Sequence, residues 1–272
     1  VSTGKWLIRL DLSRNTTITS MILANSSTWP KALNTADSGG IFVDNDSFAA
    51  RIIGNTFAGT QGDSAAILLK NNGGAGTSII GNRFDGVSAA AGGEAIQVIS
   101  RGNVIAGNVM ESFGKCLNLL FTGGTSITGN YFEACGTSII NQGLAQASGV
   151  DITGNSFSQL ETSNYAIDIQ VSKSVVIKGN NFLGRTALIN GHRTAINAAY
   201  NGNINWVVGP NNLNEFDEPA PYYTREIVLV TAYASKNIDI VSEHQYFYAK
   251  NLLQYTFEAW PSTTKGTVKW QY

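Results

Sequence analysis

The sequence holds few charged residues and few of the side chains that common catalytic and metal-binding motifs require. Of 272 residues only 14% are charged, two are histidine and two are cysteine. No HExxH, CxxC, Walker or dinucleotide-binding motif occurs, so zinc-motif hydrolysis and nucleotide chemistry find no support, and neither a metal nor a cofactor is expected. The net charge of −1 and the lack of a basic patch argue against a nucleic-acid partner.

The sequence also lacks long apolar runs and partnered histidines. No run of eighteen apolar residues occurs, so we expect no membrane insertion. His192 and His244 have no serine, cysteine or metal-ligand partner at a recognisable spacing, and both are interpreted as surface polar residues. No amphipathic helix that would cap a solenoid precedes the repeats described below, so we expect the chain to be a piece of a longer protein.

What the sequence does contain is a six-residue motif that returns every 22–27 residues. It reads apolar, any residue, Gly, Asn, any residue, large apolar. The copies are Ile52–Phe57, Ile79–Phe84, Ile105–Met110, Ile127–Phe132, Ile152–Phe157 and Ile177–Phe182, with a decayed copy at Val207–Leu213. A period in this range is typical of a solenoid of stacked repeats.

The chemistry of the motif indicates which solenoid this is. The segments between turns are short and rich in Ile, Val, Phe and Thr, which favours strands. Gly-Asn between two apolar residues predicts a turn with positive φ. When such turns stack about 4.8 Å apart, their Asn side chains can bond one another as a ladder. About 25 residues per repeat suffice for a three-stranded coil, so the sequence predicts an all-β parallel β-helix.

With this repeated motif the chain resembles the right-handed parallel β-helix proteins of pectate-lyase type. The resemblance is strong over residues 40–185 and weaker on either side. It implies a right-handed coil, and it leaves the activity open, because this fold hosts lyases, hydrolases, epimerases, adhesins and phage tailspikes. We place the β-helix at residues 1–221. An aromatic-rich C-terminal β-strand region follows at 222–272, with strands expected at Glu226–Tyr233, Gln245–Tyr248 and Thr267–Tyr272.

A further strand precedes the motif in each coil. Alternation predicts an inward row of Ile41, Ile67, Ile96, Leu117, Ile139, Ile167 and Leu188. The matching outward row is Phe42, Leu68, Gln97, Asn118, Ile140, Asp168 and Ile189. A solvent-facing strip with this much apolar surface predicts packing against a neighbour, and together with the aromatic tail it predicts a homotrimer.

The two cysteines lie in neighbouring coils at different positions of the repeat. Cys116 lies nine residues after Gly107, whereas Cys135 lies six after Gly129. Since stacking brings matching positions together, the sequence predicts free buried thiols rather than a disulfide.

Outward carboxylates give the candidate site. The position after the last apolar residue of the motif is occupied in three successive coils by Asp85, Glu111 and Glu133. Stacked carboxylates raise one another's pKa, which is how a general acid arises, and Glu111 feels both neighbours. Arg83 and Tyr131 lie two positions earlier on the same face and are expected to bind substrate.

Asp168 is a second catalytic candidate, with Asn118 and Gln97 as further substrate-binding candidates on its strand row. Charges that only keep a surface strand soluble would produce the same pattern, with Arg83 neutralising Asp85. A calcium ion would use the same acidic stack, but the basic catalytic pattern of the pectate lyases is not recognisable.

Three functions are consistent with these features. The first is a tailspike-like protein, on a virion tail or otherwise extracellular, that binds and cleaves a bacterial surface polysaccharide as a glycoside hydrolase or polysaccharide lyase. The second is a non-catalytic trimeric fibre or adhesin that binds glycans or serves as a rod. The third is a secreted pectate-lyase-like enzyme, which the C-terminal region disfavours. The identity of the polysaccharide stays open.

Overall fold

Three parallel β-sheets wind together into a parallel β-helix with three strands per coil. The computed structural model describes residues 6–24, 39–44, 46–60, 62–70, 74–141, 147–159, 163, 165–169, 172–184, 188–189, 192–193, 195–197, 207–208, 211, 254–259 and 266–271. This arrangement of three parallel sheets confirms the predicted fold class, an all-β parallel β-helix. Apart from one 3₁₀ turn at Ala89–Ala91, the elements in these ranges are strands.

Each coil contributes one strand to each sheet, and every strand pairs in parallel with those of the coils before and after it. The first sheet contains β1 (Trp6–Leu10), β4 (Gly39–Val43), β7 (Gly62–Leu69), β10 (Gly92–Val98), β13 (Lys115–Leu119), β16 (Thr137–Asn141), β19 (Ile167–Ile169) and β24 (Ile196–Asn197). The second contains β2 (Thr17–Thr19), β5 (Arg51–Ile53), β8 (Ser78–Ile80), β11 (Val104–Ala106), β14 (Gly123–Thr128), β17 (Ala147–Thr153), β20 (Ser172–Lys178) and β25 (Val207–Val208). The third contains β3 (Ile22–Ala24), β6 (Thr56–Thr60), β9 (Arg83–Gly86), β12 (Val109–Glu111), β15 (Tyr131–Glu133), β18 (Ser156–Gln159) and β21 (Asn181–Gly184).

The repeat motif forms the corner between the second and third sheets. Its first apolar residue ends up inside the second sheet, and its last apolar residue inside the third. In the third sheet the rings of Phe57 and Phe84 stack at 4.7 Å between centroids, and Phe157 stacks on Phe132 at 4.9 Å and on Phe182 at 4.8 Å. Met110 takes the intervening coil. These like-on-like rows stack ring on ring in the interior, in keeping with the close packing of protein cores.

The asparagines of the motif form the predicted ladder. In each coil the Asn Oδ1 accepts hydrogen bonds from both the backbone N–H and the Nδ2 of the preceding Asn. The ladder runs through Asn55, Asn82, Asn108, Asn130, Asn155, Asn180 and Asn211. From Asn55 onward each Nδ2 also donates to a carbonyl of the previous coil, such as Asn130 to Ile105 at 2.9 Å. The preceding Gly supplies the positive φ, 63° at Gly129.

The inward row of the first sheet is confirmed up to Ile167 and wrong at its end. Ile167 pairs with Ile196, not with Leu188. Leu188 and Ile189 form β22, which pairs in antiparallel fashion with β23 (His192–Arg193). A small hairpin is therefore inserted before the next coil, and a constant repeat length could not reveal this insertion. In the register Asn197, not Ile189, pairs with Asp168.

The outward row of the first sheet is not the solvent-facing apolar strip that the sequence predicted. Phe42, Leu68 and Ile140 are only 5–8% exposed. Phe42 is covered by Trp6, whose ring stacks on it at 5.1 Å, and by the side chains of Arg9 and Lys70. The apolar surface of this row is thus buried within the chain.

The prediction of free thiols is wrong, because Cys116 and Cys135 form a disulfide. Cys116 matches Ser138 in the register, as expected, since its neighbours on β13 pair with those of Ser138 on β16. However, Cys135 lies in the corner between the third and first sheets, between β15 and β16, and its side chain points into the interior just as that of Cys116 does. Both cysteines are fully buried, with Cα atoms 6.1 Å apart, so the bond spans two adjacent coils.

The C-terminal region is described only at one antiparallel strand pair, β26 (Gln254–Ala259) with β27 (Gly266–Gln271). β27 agrees with the strand expected at Thr267–Tyr272. The strands expected at 226–233 and 245–248, the boundary at residue 221 and His244 lie outside the described residues. The described part of the chain holds no helix long and apolar enough to cross a membrane.

Asn130→Ala should reduce the free energy of unfolding by about 1–3 kcal/mol, because it leaves buried backbone and side-chain donors of Asn108 without an acceptor. Urea unfolding followed by circular dichroism measures this. Thr128→Ala, on the outer face two residues away, is the control and should change little. An unchanged midpoint for Asn130→Ala would contradict a stabilising ladder.

Replacing both cysteines by serine should also destabilise the chain. The bond closes a loop over a sequence separation of 19, for which the chain-entropy model gives about 3 kcal/mol. Thiol titration of the denatured, non-reduced protein should find no free thiol, and the double variant should unfold at lower urea. Two titratable thiols in air-oxidised protein would refute the disulfide.

Candidate functional site: an acidic row on the third sheet

Three carboxylates lie side by side on the outer face of the third sheet. The register of β9, β12 and β15 aligns Glu111 with Asp85 on one side and with Glu133 on the other. Each follows directly after a fully buried residue, Phe84, Met110 or Phe132, so alternation turns it outward. The side chains of Asp85 and Glu111 are 34% and 36% exposed. We call these three residues the acidic row.

Arg83 bridges two members of the acidic row. Its guanidinium lies 2.9 Å from Asp85 and 3.2 Å from Oε2 of Glu111, in the next coil. The hydrogen bond to Asp85, followed by the charge of Asp85, raises the pKa of Arg83 above its ordinary value. Arg83 therefore offsets the repulsion between two neighbouring carboxylates and fixes their positions.

Tyr131 accompanies the third carboxylate. It lies on β15 two residues before Glu133 and is only partly exposed. Burial raises the pKa of Tyr131, a hydrogen bond with Ser158 acts in the opposite direction, and the charge of Glu133 and a hydrogen bond with it raise the pKa further. The phenol thus stays protonated at neutral pH and can act as a hydrogen-bond donor.

The two ends of the acidic row differ in chemistry. Asp85 and Glu111 face a guanidinium, whereas Glu133 faces a phenol. Backbones of adjacent coils lie about 4.8 Å apart, so the row extends over about 9.6 Å. Such a flat strip offers several hydrogen-bond acceptors in a line, which suits an extended ligand with many hydroxyl groups.

The other predicted site residues lie elsewhere, on the outer face of the first sheet. Gln97 and Asn118 both donate to Glu94, at 2.8 and 2.7 Å. Ile140 separates Asn118 from Asp168 in the register. Asn118 and Asp168 are each only 4% exposed. The structure therefore does not bring these residues together with the acidic row.

Glu94 and Lys115 were missed by sequence reasoning. They are aligned in the register and form an ion pair at 3.4 Å. Simple alternation places Glu94 on the inner face with Ile96. In fact Ala95 and Ile96 both face the core, which turns Glu94 outward. The sequence did offer one signal of this irregularity: strict alternation would put the charged Glu94 on the same inner face as Ile96.

No cluster of three or more His, Cys, Asp or Glu side chains suited to a metal ion occurs among the described residues.

Comparison with known proteins gives few matches. No protein-family model and no curated protein matches the chain. Among solved structures, the surface protein and adhesin PfbA of Streptococcus pneumoniae is similar at 13% identity and a TM-score of 0.48, over 75% of this chain and 62% of that one. A mutant tailspike protein of E. coli bacteriophage HK620, in complex with a pentasaccharide, is similar at 17% identity and a TM-score of 0.41, over 73% of this chain and 45% of that one.

A second structure of PfbA is similar at 14% identity and a TM-score of 0.40, over 90% of this chain and 63% of that one. The chain thus spans less than two thirds of the length of each of these structures. Likeness at this level carries no argument about activity, ligand or assembly.

Arg83→Gln should reveal the repulsion within the acidic row. At pH 7 we expect a loss of up to about 1 kcal/mol in the free energy of unfolding. The loss should shrink in about 1 M sodium chloride, because salt screens the repulsion between exposed carboxylates. Urea unfolding at low and high salt measures both. Arg51→Gln, which removes an exposed cation that forms no ion pair among the described side chains, is the control; an equal loss at both salt concentrations would count against the interpretation.

Proposed function

We propose that the chain binds a bacterial surface polysaccharide along the outer face of the third sheet, on a virion tail or otherwise outside the cell. The observation that carries this proposal is the acidic row, held in register over three coils and accompanied by Arg83 and Tyr131. Carboxylates in a line accept hydrogen bonds from successive sugar hydroxyls, and Tyr131 adds an aromatic face. The Cys116–Cys135 disulfide suits an extracellular site, because disulfides persist in oxidising surroundings.

The finer proposal is that the acidic row also cleaves the polysaccharide. Glu111 is the general acid, and Glu133 or Asp85 is the base or nucleophile. An acid–base pair needs two carboxyl groups in different environments. The surroundings of Glu111 and Glu133 differ, because a guanidinium contacts the first and a phenol bonds the second. Adjacent coils suit the separation of a retaining glycosidase, about 5–5.5 Å, and the two-coil pair suits an inverting one, about 6.5–9.5 Å.

Glu111→Gln tests cleavage while keeping the shape of the side chain. With purified capsule or lipopolysaccharide, wild-type protein should release new reducing ends if it is a hydrolase, or products absorbing in the ultraviolet if it is a lyase. Glu111→Gln and Glu133→Gln should each lower the rate by about 10²–10⁴-fold, the usual contribution of general acid–base catalysis. Asp46→Asn, an exposed carboxylate outside the third sheet, should keep full activity. Full activity in both Gln variants would show that the catalytic residues lie outside the acidic row.

The main alternative is a non-catalytic glycan-binding fibre or adhesin. The ion pairs of Arg83 with both Asp85 and Glu111 favour this alternative, because they give two of the three carboxylates a structural role that needs no catalysis. Binding without any product, weakened in Arg83→Gln and Tyr131→Ala, would identify this function. Cleavage of polygalacturonate alone would instead identify a secreted pectate-lyase-like enzyme.

We also propose that residues 222–272 assemble the chain into a homotrimer. The buried outer row of the first sheet cannot supply the interface, so this proposal rests on the C-terminal strands. Among the described residues β26 and β27 pair only with each other, and a two-stranded pair without further partners is marginally stable in water. Sedimentation should give three times the chain mass of 29.0 kDa. A mass of one chain at micromolar concentration would contradict the trimer.

A further inference from the structure

The cations of the β-helix fall into two groups according to their partners. Arg9, Lys70, Arg83 and Lys115 form ion pairs, and all four lie on or directly after strands of the first and third sheets. Among the described side chains, Arg14, Arg51, Arg101 and Lys178 form none. These four lie on the second sheet or on the corner leading into it, and all are exposed. Among the described side chains, the cations without an ion pair thus lie on the second sheet and on the corner leading into it.

Two of these arginines are held by aromatic rings. The guanidinium of Arg14 lies 5.9 Å from the ring centroid of Phe48, and that of Arg101 lies 4.9 Å from the centroid of Phe121. A ring orients a guanidinium through its face and leaves the N–H groups at its edge free to bind. Arg9 shows the contrast: it lies over Phe42, but its N–H groups are engaged by Asp11 and Asp44.

The register places these residues along one corner of the β-helix. Arg14 pairs with Phe48, and Phe48 pairs with Ala75 in the next coil. The backbone N–H of Gly76 donates to the carbonyl of Arg101 in the coil after that. The two arginines are therefore three coils apart, about 14 Å along the axis. Between them in the register lie Phe48, which is 37% exposed, and Ala75.

Arg51 is a third exposed arginine near this corner of the β-helix. It lies on β5 three residues after Phe48, outward and exposed. We call Arg14, Phe48, Arg51, Arg101 and Phe121 the arginine corner. The carboxylate of Asp46, in the preceding turn, forms no ion pair with these arginines.

We propose that the arginine corner is a second saccharide-binding surface, selective for acidic polysaccharides that carry uronate groups. Guanidinium edges bind carboxylates in a bidentate manner, and the phenyl ring of Phe48 packs against the apolar face of a sugar. Sparse guanidiniums suit a polysaccharide better than nucleic acid, since DNA carries one charge per about 1.7 Å of its axis. This surface lies on a different side from the acidic row, so it stands whether or not that row binds or cleaves a glycan.

The test compares two polymers with the same backbone. Alginate, a polyuronate, and its neutral propylene glycol ester are titrated against the full chain by calorimetry at low and moderate salt. We expect binding of alginate that weakens with salt, and at least about tenfold weaker binding of the ester, since a hydrogen bond to a charged group is worth about 1.5–3 kcal/mol and 1.4 kcal/mol is tenfold. Equal binding of the ester would overturn the proposal.

Variants locate the surface. Arg101→Gln and the double variant Arg14→Gln/Arg101→Gln should each lose at least about tenfold in affinity for alginate. The affinity of Arg101→Lys should fall between these variants and wild type, because lysine keeps the charge but cannot form the bidentate hydrogen bonds of a guanidinium. Lys178→Gln, which removes a cation that forms no ion pair among the described side chains and lies at the other end of the second sheet, should bind normally. Melting curves confirm folding of each variant, and Arg101→Lys keeps the test informative if the double variant unfolds. Unchanged affinity in Arg101→Gln, or tighter binding of single-stranded DNA than of alginate, would overturn the assignment.

Discussion

The stacked asparagines at the corner between the second and third sheets are the interaction on which the rest of this structure depends. Parallel strands need a partner coil at about 4.8 Å on each side, and a coil keeps that spacing only if its turns are identical. Each ladder Asn satisfies buried donors of the coil before it, so every turn sets the position of the next one. Because the stacked turns are in register, the strands that follow them are in register too. This aligns the rows of Ile and Phe in the interior and the acidic row on the outer face.

A solenoid surface of this kind separates charges by face rather than by distance along the sequence. Residues about 25 apart become neighbours, so Arg83 reaches Glu111 across a sequence distance of 28. On the third sheet Arg83 bridges two members of the acidic row, whereas Arg51 and Lys178 on the second sheet form no ion pair among the described side chains. Each face can therefore bind its own ligand, as the two proposals above require.

The repeat motif predicted the fold, the Asn ladder and the alignment of Asp85, Glu111 and Glu133 because each follows from one periodicity. Wherever the periodicity was interrupted, the prediction failed. Leu188 was assigned to a row that Ile196 occupies, because a hairpin lengthens that coil. Glu94 was overlooked, because two successive residues face the core at the start of β10.

The sequence by itself determined which residues stack, since stacking depends only on a spacing that can be counted. Only the tertiary structure decided which side chains meet across a corner and which outward residues are covered. Cys116 and Cys135 show the first case: they occupy different positions of the repeat, yet the turn between the third and first sheets brings them into a bond. Phe42 shows the second, because Trp6, Arg9 and Lys70 cover it. Both depend on the path of the chain between strands, where side chains converge without any periodicity in the sequence.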